Sequence, residues 1–377
     1  MAMPPSPATS GRLTIDLAAL ARNWRALDKV SAGALTGAVV KADAYGTGLI
    51  PSATAFYEAG ARFFFTATVD EAVTLRETLP KAHIFVLGGL FPGAANLYIE
   101  NRLMPALCSL PMLEEWLAAC VARNEALPAA LHFDTGMGRT GFRLNEASIV
   151  RRQIDSLGFA PQMIMSHLAC ADTPAHEKNR TQLALFQSVM AQFPGIPASL
   201  ANSAGLMTGR DYHFQMVRPG IALYGGRAVS GRRNPMSQAV TLEVPILQVK
   251  EARTGETIGY GASYSLNRDS RIAILGMGYA DGFFRNLSGT NTRPGGKVAY
   301  RGRVLPVIGR ISMDLTVVDI TDLGHDIPLP GELMEVLGPH ITVDDQADIA
   351  GTIGYEILTS LRLGRFTRHY VGMPDEE

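Results

Sequence analysis

The apolar run of VVKADAYGTG, residues 39–48, ends in Lys41, with Tyr45 and two glycines directly after it. A lysine so placed either solvates at the end of a strand or points into a pocket, where a desolvated amine can capture a carbonyl and later act as a base. Other polar residues stand in similar positions. Arg139 lies in DTGMGRTGF after ALHFD, His167 closes PQMIMSH, Asn202 and Ser203 close ASLANS, and Arg218 opens into PGIALYGG after HFQMV. Singly, each has an ordinary structural explanation: a loop arginine beside a carboxylate, a satisfied core histidine, a serine capping a helix. As a set they suggest one ligand. Backbone amides at Gly220 and Ile221, the Ser203 hydroxyl at a helix start and the nearby Tyr45 can hold a phosphate, while Lys41 can hold an aldehyde as an imine. An aldehyde joined to a phosphate describes pyridoxal 5′-phosphate.

These residues need a scaffold that brings strand ends together. Eight apolar runs alternate with helical spacing: LTGAVVK, RFFFTAT, HIFVLG, LMPALC, ALHFD, PQMIMSH, ASLANS and HFQMVR, between residues 35 and 218. In DLAALARNWRALDKV, Asp16 can cap the first turn and Leu17, Leu20, Trp24 and Leu27 share a face. Strands alternating with helices predict a parallel sheet, and eight such units predict a closed β/α barrel whose chemistry gathers at the C-terminal strand ends. FPGAANLYIENR, before the fourth run, is a poor helix. After the turn-rich YGGRAVSGRRNP the pattern changes to β-branched alternation, as in VTLEVPILQVKEA and LTVVDIT. The expected organisation is a disordered tail over 1–11, a barrel over 12–235 and a mainly antiparallel β domain over 236–377.

Composition narrows the partners. With 47% hydrophobic and 18% charged residues, the chain is globular rather than disordered. Its net charge of −1, without blocks of like charge, favours a small-molecule substrate over nucleic acid or an anionic membrane. Three scattered cysteines form neither a disulfide framework nor a thiolate metal site. His167, Asp172 and His176 are the best candidates for metal binding, but no His-x-His pair or H-E-x-x-H helix supports them, and no metal is expected. MAMPPSPATSG lacks the basic start and apolar stretch of a secretory signal, and no apolar run approaches the roughly 18 residues of a membrane span. A cytoplasmic protein is expected.

Nine motifs in order, VVKADAYGTG, DTGMGRTGF, SHLACAD, NSAG, VRPGIALYG, IGYGASY, GYADG, GRISMDLTVVD and IGYEILTSL, closely resemble those of the alanine racemases across residues 12–370. The resemblance implies a pyridoxal-phosphate enzyme that interconverts L- and D-alanine and supplies D-alanine for peptidoglycan. It makes Lys41 both the imine-forming residue and one base, and Tyr260 the base on the opposite face. A tyrosine phenol ionises near pH 10, so a basic tyrosine needs cations around it. By resemblance, His167 links Tyr260 to Arg218, and Arg139 reaches the cofactor's phenolic oxygen and the substrate carboxylate. Tyr45, Ser203, Gly220, Ile221 and Tyr355 match phosphate contacts, the Met313 amide a carboxylate contact, and Asp172, Tyr279 and Arg285 the substrate entrance. The resemblance also implies a homodimer in which Tyr260 and Met313 come from the partner subunit. Arg218, always a donor, is expected to leave the pyridine nitrogen unprotonated and so to weaken the ring as an electron sink.

The chain departs from the family at several positions. His132 replaces a lysine that, carbamylated in some members, orients the arginine matching Arg139. Ser312 and Thr359 replace cysteines found in some members, and GFFRN replaces a commoner Tyr-Pro sequence. Rival readings are a racemase for serine, lysine or arginine, a non-catalytic pyridoxal-phosphate-binding protein, and a decarboxylase on the same barrel. Decarboxylases pair the pyridine nitrogen with an acid and carry a second-domain cysteine; here the resemblance puts Arg218 in that place, and no cysteine follows Cys170.

Overall fold

The computed structural model describes residues 11–372. Residues 1–10, nearly all of the expected tail, lie outside the described residues. Gly11, the last residue of the expected tail, is buried, and its carbonyl accepts a bond from the Thr367 amide at 2.9 Å, so this residue is not disordered.

Seven strands pair in parallel in chain order: Ala38–Val39, Phe63–Thr66, His83–Val86, Met104–Leu107, Ala130–His132, Met163–Met165 and Ala198–Ser199. An eighth, Met216–Val217, pairs in parallel with Leu35–Thr36, just before the first. Between seventh and eighth no regular ladder forms. Bonds from Gln215 N to Ala198 O, 3.1 Å, and from Arg218 N to Ala201 O, 2.9 Å, cross that seam, so the expected barrel is present but partly open there. Its strands are buried almost throughout, Met104–Leu107 at every residue, because helices cover one face and the barrel interior the other. Before the fourth strand the chain manages only the short helix Ala95–Glu100. The first long helix, Leu17–Ser31, forms as predicted, with the Asp16 carboxylate accepting from Ala19 N at 2.8 Å.

The second domain is built on an eight-stranded, mainly antiparallel sheet. One of its strands corrects the expected boundary. Arg12–Asp16 belongs to this sheet and not to the barrel, running antiparallel to Val240–Ala252 and parallel to Thr367–Val371. The reason lies in its period: Leu13 and Ile15 are buried while their neighbours are half-exposed, the alternation of a strand covered on one face only. The barrel proper starts with the helix Leu17–Ser31. Helices Val343–Ala350 and Gly354–Ser360 return from the β domain toward the barrel, and a single apolar cluster holding Ile15, Phe65, Leu242 and Leu358 unites the two. Among the described residues no helix is long and apolar enough to cross a membrane.

Candidate active site

Lys41 follows the first barrel strand and opens an unusual turn. Ala42, Asp43, Ala44 and Tyr45 all have φ between 50° and 56°, four consecutive non-glycine residues in the left-handed region. That conformation costs roughly 1–2 kcal/mol per residue, so other interactions must fix it. Ala44 N bonds Val40 O at 2.9 Å, and Gly46 N bonds Ala42 O at 3.0 Å. The Glu71 carboxylate receives Ala42 N at 2.6 Å and Asp43 N at 3.3 Å. Asp43 accepts from Leu49 N at 2.7 Å and from Arg368 of the β domain at 2.9 Å. The glycines that follow let the turn dock: a Cβ on Gly46 would lie 2.3 Å from Leu358 O, and one on Gly48 2.2 Å from the Tyr370 hydroxyl. Burial lowers the pKa of the Lys41 amine, and the Arg139 charge lowers it further, partly offset by Glu71. A lysine with a depressed pKa is poised to act as nucleophile and base.

The residues expected to hold a phosphate converge nearby. Ser203 is buried, and its Oγ accepts from Gly220 N at 2.8 Å and Ala222 N at 3.4 Å. Asn202, and not Ser203, caps the helix Ser203–Thr208, accepting from Gly205 N at 2.9 Å, so the serine hydroxyl is turned to the loop. A Cβ on Gly220 would stand 2.2 Å from the Tyr45 hydroxyl, which brings hydroxyl, phenol and amide into one small cradle. Ile221 heads the single turn Ile221–Tyr224, where its amide has no intrahelical acceptor. Tyr45 stacks on Tyr224 with ring centroids 4.6 Å apart, and Tyr355 lies 5.9 Å from Tyr45. Burial raises the pKa of Tyr45, and that of Tyr355 to about 12, so both phenols remain protonated donors. These donors fit a phosphate, and the adjacent desolvated lysine fits an aldehyde; the residues present match pyridoxal 5′-phosphate.

Arg218 is buried at the end of the eighth strand, donating to Ser199 Oγ and, at 2.5 Å, to Ser166 O. Burial lowers its pKa to about 9, which leaves it charged at neutral pH. Around it stand two neutral histidines. Burial, then Arg218, then Arg139 lower His132 to about 4, and the same three causes push His167 well below the usual imidazole range. Arg139 is exposed on a loop pinned by Asp134, whose carboxylate accepts from Gly136 N, Met137 N and Gly138 N at 2.7–2.9 Å. Among the described residues nothing hydrogen-bonds the Arg139 guanidinium, and a neutral His132 supplies no anion to orient it.

Four of the expected site residues lie elsewhere. Tyr260 is 70% exposed and Met313 53% exposed, both on the β domain, with no hydrogen bond from either side chain to the strand-end set among the described residues. Tyr279 joins them: its amide bonds Ser312 O at 3.1 Å and the next amide, Ala280 N, bonds Met313 O at 3.0 Å. Arg285 is exposed at the turn Arg285–Leu287. Asp172 is exposed at the barrel mouth, where its charge contributes to raising Tyr355. Sequence reasoning missed Glu71, Asp134, Ser199 and Tyr224. Only Glu71 carried a signal, as the fourth residue of the capping box from Thr68, and that signal concerns its own helix.

A β/α barrel with a strand-end lysine beside a phosphate cradle, fused to a β sheet domain, defines a pyridoxal-phosphate scaffold. Family models described as "Alanine racemase, N-terminal domain" and "Alanine racemase, C-terminal domain" match residues 15–228 and 239–370. An alanine racemase of Rhizobium meliloti (strain 1021) is 46% identical over 379 residues, covering 99% of this chain and 100% of the relative. A relative from Agrobacterium fabrum named "Alanine racemase, biosynthetic" is 46% identical over 371 residues (97% and 94%), and one from Rhizobium johnstonii named "Alanine racemase, catabolic" is 44% identical over 363 (96% and 95%). The crystal structure of alanine racemase from Bartonella henselae with covalently bound pyridoxal phosphate superposes with a TM-score of 0.90 at 38% identity, covering 97% of this chain and 100% of that one. The chain belongs to the alanine racemase family.

Proposed function

We propose that this protein is a pyridoxal-phosphate-dependent alanine racemase that uses Lys41 and Tyr260 as opposed bases and supplies D-alanine for peptidoglycan. The observation that supports it best is a desolvated Lys41 one turn of chain from Tyr45, whose hydroxyl meets Gly220 beside Ser203. When bound, the cofactor supplies a carbonyl for amine capture and a conjugated ring that draws electron density from the substrate's α-carbon. Lys41 Nζ holds a proton on one face. Tyr260 Oη does so on the other, since inversion requires removal from one side and return from the opposite side. Arg218 offers only donors, so a pyridine nitrogen held against it would keep its lone pair, which would weaken the ring as a sink and favour return of the proton to the α-carbon. Arg139 and the Met313 amide bind the carboxylate, and Asp172, Tyr279 and Arg285 line the approach.

In this reading the working unit is a homodimer, with Tyr260 and Met313 given to the partner's barrel. Their exposure on one domain, together with Tyr279 at 42%, supports a covered face. The reading includes a cytoplasmic location. The experiment is direct: purified protein, pyridoxal 5′-phosphate and L-alanine, with enantiomers resolved by chiral chromatography. D-alanine without pyruvate or carbon dioxide is expected. Turnover of serine, lysine or arginine alone would replace alanine as the substrate, and turnover of none would leave only cofactor binding.

A further inference from the structure

We propose that Glu71 is a positioning residue for the reaction: its carboxylate holds the left-handed turn that aims Lys41 into the site. The inference rests on reading Lys41 as the amine that captures the cofactor. Glu71 lies in the first turn of the helix Val69–Thr78, after the second barrel strand. Its two oxygens face different elements. Oε2 receives Ala67 N at 2.9 Å and Thr68 N at 3.4 Å, closing its own helix, while Oε1 receives Ala42 N at 2.6 Å and Asp43 N at 3.3 Å from the neighbouring strand end. Ala42 and Asp43 are the first residues of the left-handed run, and their amides precede the turn's own bonds, which begin with Ala44 N to Val40 O. Glu71 therefore serves two amides that the turn itself leaves without acceptors.

This arrangement exceeds what the capping box requires. At the helix Val343–Ala350 the same box is closed by an aspartate: Asp345 accepts from Thr342 N at 2.9 Å and does nothing further on another strand. The extra methylene of a glutamate at 71 spans the gap to Ala42 and Asp43. Asp43 in turn is tied to Arg368, so the segment after Lys41 is held from the barrel side by Glu71 and from the β domain by Arg368. Glu71 also lies close enough to favour the charged form of the Lys41 amine, against burial and Arg139.

The test separates cap from clamp. Glu71→Asp should keep the helix cap, and with it the urea midpoint of the full-length protein, while losing the reach to the turn. In the protein freed of cofactor, hydrogen exchange at the Ala42 and Asp43 amides should quicken by about tenfold or more, with Ala67 and Thr68 unchanged. The second-order capture of pyridoxal 5′-phosphate, followed by absorbance, should slow by a similar factor, on the order of tenfold. Glu71→Gln, which keeps one acceptor oxygen, should fall between the two. Unchanged exchange at Ala42 and Asp43 in both variants, or unchanged capture despite faster exchange, would overturn the role. Lys41→Ala serves as the control: capture as fast as in the unaltered protein would show that the parent reading of Lys41 is wrong, while the exchange rates would still report on the clamp.

Discussion

Two single residues of the site give predictions that need no bound substrate. Gly220 has no side chain because the Tyr45 hydroxyl occupies the place of its Cβ, at 2.2 Å. Gly220→Ala should push the phenol or the loop aside, weakening cofactor binding by about 1–3 kcal/mol, or roughly 5- to 150-fold in Kd. Fluorescence titration with pyridoxal 5′-phosphate reads this, and an unaltered Kd would remove Gly220 and Tyr45 from the cradle. His132 acts through its neutrality. Its pKa falls from about 6.5 unfolded to about 4 folded, so the unfolded chain binds more protons between those values. Stability is therefore lost as pH falls from about 6.5 to about 4, by an amount on the order of 3 kcal/mol if the native state stays intact. Urea unfolding of His132→Asn at several pH values should show a shallower slope across that window than the parent protein, and an equal slope would contradict the assignment.

At the scale of elements, the turn from Lys41 to Gly48 is where the two domains meet. Gly46→Ala would place a methyl 2.3 Å from Leu358 O at a φ of +81°, and should destabilise the fold by about 2 kcal/mol or more, seen as a lower urea midpoint. No shift would mean that the docking is loose. The glycines of this stretch were legible in the sequence, but the left-handed run was not: alanine, aspartate and tyrosine ordinarily avoid that region, and the acceptor that permits it is Glu71, some thirty residues away. The eight barrel strands could be read because strands buried on both faces appear as apolar runs of the right length. Arg12–Asp16 was missed as a β-domain strand because five alternating residues give no indication of which sheet they join; its partners lie more than 220 residues later. The site followed the same division. Lys41, Arg218 and Ser203 could be picked out by their place at strand ends, whereas Asp134 and Ser199, which hold other groups in position, look like any loop aspartate and strand serine.

The whole molecule poses a different question, because Lys41 lies at the barrel mouth while Tyr260 is 70% exposed on the β domain. A site shared between subunits makes a specific prediction for hybrids. Lys41→Ala and Tyr260→Phe chains should each be nearly inactive alone, yet co-expressed they should recover about a quarter of the parent activity, because half of randomly paired dimers carry one intact site of two. No recovery in dimers shown by mass to be mixed would place both residues in one chain's site. The most direct measurement of the two-base account is α-hydrogen exchange in deuterated water, comparing the parent enzyme with Tyr260→Phe from each enantiomer of alanine. The account predicts deuterated product from both enantiomers with the parent. In the variant, racemisation should fall by roughly 10²–10⁴ while one enantiomer still exchanges its α-hydrogen with retention through Lys41. Racemisation undiminished in the variant, or product that keeps its original hydrogen, would contradict opposed proton transfer by Lys41 and Tyr260.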